Sequence, residues 1–145
     1  MATRQALQAI YSANANLTTP LPIDDTVPTA TEGVEVLSQS ITLASSANKV
    51  LVELALWGRT FEVNWGAALF RGSTCLHAQA HIIESFDLCN TIGFDILDAP
   101  GSVGPHVYSV RAGSESGAVL RLNGVENARR FGGASKCTLI LREIG

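Results

Sequence analysis

Charge is scarce in this chain. Only 16% of its 145 residues are Asp, Glu, Lys or Arg, against about 25% in an average soluble domain. Lys49 and Lys136 are the only lysines. Ten basic residues against 13 acidic ones leave a net charge of −3, which argues against the basic face of a nucleic-acid binder. So thin a charge layer points to surface hidden in an assembly. The bias to arginine fits that reading, because its planar fork makes paired hydrogen bonds in interfaces. Plain surface solubility is the competing explanation.

Cysteine is also sparse and unpatterned. Cys75, Cys89 and Cys137 show neither CxxC nor zinc-ligand spacing, so they make no disulfide framework. Buried free thiols are expected, with one pair plus a spare thiol as the alternative. No apolar run reaches the about 18 residues that a membrane span needs. The opening MATRQALQAIYSANANL has no signal-peptide core. The chain is therefore expected to be made in the cytoplasm, without export by that route and without membrane insertion.

Catalytic signatures are missing as well. There is no GxSxG, no GxxxxGK[ST] and no HExxH, so neither a nucleophile elbow, a phosphate cradle nor a zincin site is written here. His77 and His81 are four apart, with Glu84 as the nearest carboxylate. On a helix or on a strand they would share a face. A surface or intersubunit role fits them better than metal binding, and protonation of an intersubunit pair would loosen the assembly at low pH. Asp24-Asp25 lacks the alternating acids of a calcium loop. Arg129-Arg130, the only adjacent basic pair, is a second candidate for a surface or intersubunit role. No catalytic residue, metal or cofactor is expected.

What the chain does contain is strand signal. At this length it is one domain, able to bury roughly 70% of its unfolded surface. Apolar and polar residues alternate through Tyr108–Val110, Leu120–Leu122 and Thr138–Ile144, the mark of half-buried antiparallel strands. Val34–Leu43, Lys49–Trp57, Phe61–Phe70, Cys75–Ser85 and Thr91–Leu97 read as further strands, with Phe86–Leu97 ambiguous at its start. Lys49–Trp57, KVLVELALW, is apolar on both sides except at Glu53, so it is expected to be central and covered on both faces, on one by a second subunit. Gly58-Arg59-Thr60 is read as a turn, as is Asn123-Gly124. Trp57, Trp65, Phe70, Tyr108 and Phe131 are expected in the core, with one exposed ring able to stack on a sugar.

The first 17 residues place Ala6, Leu7, Ile10 and Tyr11 at helical spacing. They predict a short helix, with a frayed terminus as the alternative. Residues 18–33 hold three of the five prolines and read as an extended connector, pinned by Ile23 and Val27. The expected organisation is an attachment arm and connector over 1–33, gripping through Leu7, Ile10, Tyr11 and Leu17. An all-β, jelly-roll-like antiparallel sandwich of about eight strands follows over 34–145.

Four segments, PIDDTVPTATEGVEVLSQSIT, ALFRGST, VYSVRAGSESGAVLRLNGVENARRFGG and the closing LREI, resemble in order a family of small β domains of tailed-bacteriophage and prophage virion proteins. The match spans Pro22 to Ile144 and is weakest over Leu76–Pro105. The resemblance implies a non-enzymatic virion component with a jelly-roll domain, forming a homotrimer on the particle exterior. It would be a tail-fibre or adhesion module that touches other virion proteins and a host surface glycan, or else a capsid decoration protein. A stand-alone subunit is expected, with loops at Ser73-Thr74, Cys89-Asn90 and Gly101–Gly104 outward. A small hydrolase on the same fold is the third reading, and the missing catalytic constellation weighs against it.

Overall fold

Alternation along the chain becomes two packed antiparallel sheets. The computed structural model describes residues 2–83, 89–125 and 128–145. Twelve strands are present among them: β1 (Thr3–Tyr11), β2 (Ala15–Leu17), β3 (Val34–Ile41), β4 (Lys49–Arg59), β5 (Trp65–Arg71), β6 (Thr74–His81), β7 (Cys89–Asp98), β8 (His106–Ser114), β9 (Leu120–Leu122), β10 (Gly124–Val125), β11 (Ala128–Arg129) and β12 (Cys137–Ile144). One sheet runs β1-β12-β4-β9-β2, with β7 on the other side of β4, and the second runs β3-β8-β5-β6. β10 and β11 form a small separate ladder. The architecture is an all-β antiparallel sandwich of jelly-roll-like type.

Seven of the eight expected strands are long ones here, and Leu120–Leu122 is short. The eighth long strand is β1, where the spacing predicts a helix. Residues 5–11 instead pair one-to-one with β12, from Gln5 against Glu143 to Tyr11 against Cys137. Leu7 and Tyr11 pack against the core and Leu17 is buried within it. Ile10 turns outward and stays 51% exposed. Leu7 and Tyr11 are compatible with either period, and a partner distant in sequence decides between them. The expected arm is thus an edge of the first sheet, and Leu7, Tyr11 and Leu17 are committed inward.

The core lies between the sheets. Val50, Val52, Leu54 and Leu56 of β4, Leu139 and Leu141 of β12, and Trp65 and Leu69 of β5 form one buried cluster. On the outer side of β4, Leu51, Glu53 and Trp57 are half-buried and Ala55 is exposed. Among the described residues no other strand packs over that side.

The connector straps the outer face of the second sheet. Leu21 is buried and donates its N–H to the Ser114 carbonyl at 2.9 Å. Arg111 donates to the carbonyls of Glu32 at 2.7 Å and Gly33 at 3.0 Å. A Cβ on Gly113 would stand 2.6 Å from the Thr19 carbonyl oxygen, so only glycine admits the strap here. The expected pins are corrected in part. Val27 is 73% exposed, and the anchor is Leu21.

Polar groups tie the sheets together. Asp98 Oδ2 accepts from Arg71 Nη1 at 2.5 Å and from the fully buried Tyr108 hydroxyl at 2.6 Å. Burial, then the Asp98 contact, pushes the Tyr108 hydroxyl well above its usual pKa. Glu143 is fully buried and accepts from Asn48 Nδ2 at 2.6 Å, Gln5 Nε2 at 2.6 Å and the Ala44 N–H at 2.7 Å. Asn123 is no hairpin corner. Its φ is 57° and its side chain donates to the carbonyls of Tyr11 and Ala13, bracing the step from β9 to β10.

Candidate functional site

Loops gather at the two ends of the sandwich. One end carries residues 42–48, 72–73 and 99–105, joined by Leu43 N–H to Val103 O and Gly72 N–H to Val107 O, each near 2.8–2.9 Å. Leu97, Val103 and Val107 are exposed there, at 50%, 44% and 47%. The other end carries residues 60–64, 115–119 and 130–136, with Glu115 N–H bonded to Asn64 O at 3.0 Å. Ser73-Thr74 and Gly101–Gly104 therefore share an end. Cys89, which pairs with Arg59, lies at the opposite one, so the three loops expected to face outward together do not.

The second end is the richer in chemistry. β4 runs on through Arg59, and the chain turns at Thr60–Asn64 rather than at Gly58. The Thr60 hydroxyl donates to the Val63 carbonyl and holds that turn. Phe61 is left 62% exposed at its tip. Arg59 stands directly across from Arg121 of β9, so the two guanidiniums share a face. With Thr60, Phe61, Ala118 and Val119 they line a cleft of about 420 Å³. The Arg121 Nε–H is buried with no hydrogen-bond acceptor among the described residues. The sequence gives no sign of this pairing, since register alone brings two distant arginines together.

The Arg129-Arg130 pair lies at the same end. Arg129 is exposed on β11, and Arg130 Nη1 donates to the Ala128 carbonyl at 3.3 Å. Phe131 follows with φ of 55° and 79% exposure, so its expected place in the core is corrected. Three of the five expected core aromatics, Trp65, Phe70 and Tyr108, are fully buried, while Trp57 is half-buried on the outer face of β4.

His77 and His81 do share one side of β6, opposite Leu69 and Trp65. That side turns toward the other sheet, and the His77 ring meets Phe94 edge-on at 4.4 Å. Both rings are half-buried on that side. No three His, Cys, Asp or Glu side chains gather as a metal site among the described residues. Glu84 and the ambiguous start at Phe86 lie outside them.

A third surface is the outer side of the first sheet. Ile10, Ile140, Leu51, Ala55, Trp57 and Leu97 give it apolar area, and the Arg142–Glu53 ion pair, at 3.2 Å, crosses its middle. The thiols are separate and free. Cys137 is buried, Cys75 is half-buried and Cys89 is exposed. Burial pushes the Cys137 and Cys75 thiols up.

No family model and no curated protein matches the chain. Among solved structures, the Eiger TNF of S. frugiperda superposes with a TM-score of 0.53 at 14% identity, over 98% of this chain and 94% of that one. At that identity the likeness is one of fold, an antiparallel β sandwich.

Proposed function

We propose that this chain is a non-enzymatic structural protein of a tailed-phage virion, a homotrimeric module displayed on the particle exterior and serving adhesion. The observation that supports it best is the meeting of the two most family-like segments. The TEG of the connector, Thr31–Gly33, is held by the RAGS of β8, Arg111–Ser114. Stretches far apart in sequence thus form one structural unit, as motifs that preserve a scaffold should. Self-association would cover the outer side of the first sheet, where no described strand overlies β4 and charge is balanced by Arg142 and Glu53. The end carrying Leu97, Val103 and Val107 would seat the module on its particle. The opposite end, with the arginine cleft and Phe131, would face outward.

The decoration reading gains from one finding. Because β1 is spent within the sheet, the contact with a particle passes from a free arm to a face, and a face suits a flat seat on a shell. Quantitative mass spectrometry of purified particles tests both. A handful of copies per particle is expected for a tail module and hundreds for decoration, while absence from particles sinks the proposal. Sedimentation equilibrium of the isolated chain should give a trimer mass.

A further inference from the structure

We propose that the cleft between β4, β9 and the loop at 60–64 is a binding site for a carboxylated sugar. Register sets Arg59 of β4 opposite Arg121 of β9, and both line the cleft. A planar carboxylate is the group whose geometry answers a guanidinium fork. Arg121 supplies a buried Nε–H that lacks an acceptor among the described residues, a costly state that an incoming acceptor relieves. The remaining wall is apolar. Phe61 offers a ring that is 62% exposed, and Val119 is 37% exposed at the rim. A bare inorganic anion would leave that wall unused. A ligand with one carboxylate and one apolar ring face uses both, and acidic monosaccharides such as sialic and uronic acids have this build. At about 420 Å³ the cleft is of the size that takes a small ligand.

The site gives a ligand class to the adhesion proposed above and rests on that reading only for its biological setting. Binding is a property of the isolated chain and is scored apart from presence in particles. The test is titration of the full chain, by ligand-observed NMR, with N-acetylneuraminic acid, with glucuronic acid and with the methyl ester of each. We expect at least one acid to bind with Kd of about 1 mM, and its ester to bind at least about tenfold more weakly. Added salt should weaken the acid only. Arg121→Gln should lower affinity by about tenfold or more, Arg121→Lys by less, and Phe61→Ala should weaken acid and ester alike. Binding of neither acid, equal binding of acid and ester, or full binding by a folded Arg121→Gln overturns the proposal. So does a result in which no sugar binds and Arg121→Gln instead lowers the oligomer mass, because the cleft would then hold a carboxylate of a neighbouring copy. If the variants fail to fold, the acid-against-ester comparison on the unaltered chain decides alone.

Discussion

Arg111 reaches from β8 to the turn that begins β3 and donates from Nη2 to the Gly33 carbonyl at 3.0 Å, beside its 2.7 Å bond to Glu32. One side chain thereby ties the connector to the middle of the second sheet. Arg111→Ala should cost about 2 kcal/mol, since it removes two charge-assisted bonds. Urea unfolding gives the total. Hydrogen exchange should show protection lost first over residues 19–33, and a uniform loss would mean that the connector is held by other contacts.

The Asp98 node predicts unequal losses. Tyr108→Phe removes one bond and leaves Arg71 in place, at about 1 kcal/mol. Asp98→Ala strands both the Arg71 guanidinium and the buried Tyr108 hydroxyl, at about 3 kcal/mol. Because folding raises the Tyr108 pKa, the native state favours the protonated form. Its contribution is whole below about pH 10 and is lost as pH rises further. Tyr108→Phe should therefore flatten the alkaline limb of a stability profile.

Glu143 sets an acid limb. Hydrogen bonds from Asn48 and Gln5, and then from the Ala44 backbone, hold its carboxyl below the ordinary 4.5. The stability it adds is whole above that value and falls away as pH drops through it toward the lower native value. Urea midpoints measured from pH 7 down to about pH 3 should fall less steeply in Glu143→Gln than in the unaltered protein. The variant should start from a lower midpoint near neutrality, because its amide brings N–H groups toward donors.

Deleting residues 2–17 should abolish cooperative folding, since it strips β1 from β12 and uncovers Leu139 and Leu141. Circular dichroism of the truncated chain is the check, and a folded product would return these residues to the role of a dispensable arm. Ile10→Asp separates fold from assembly. Ile10 faces outward, so the variant should keep its melting temperature in dilute solution, while the proposed self-association should weaken and give a lower mass in sedimentation.

Where a strand's own pattern decides its state, the sequence was enough. KVLVELALW, apolar on both sides except at Glu53, and TLILREI at the C-terminus both read as strands and form β4 and most of β12. β1 is not legible locally, because Leu7 and Tyr11 fit two periods and the strand that arbitrates, β12, lies at the other end of the chain. The shared side of His77 and His81 followed from their spacing, but which way that side turns did not, since this depends on sheet packing. Phe131 looked like core by its chemistry. Its positive φ and the glycines after it carry it into solvent instead. The arginine cleft was out of reach, because neither Arg59 nor Arg121 has a local signature and their opposition is a fact of register.

The three thiols have a practical consequence. Burial shields Cys137 and hinders Cys75, while Cys89 is exposed on β7, directly paired with Arg59 of β4. A thiol-directed dye should therefore enter at a single place with no engineered cysteine. The molecule carries its own spectroscopic address beside the cleft. Energy transfer between labelled copies would measure their separation in the proposed assembly, and quenching on addition of the proposed acidic sugar would read the cleft in the same sample.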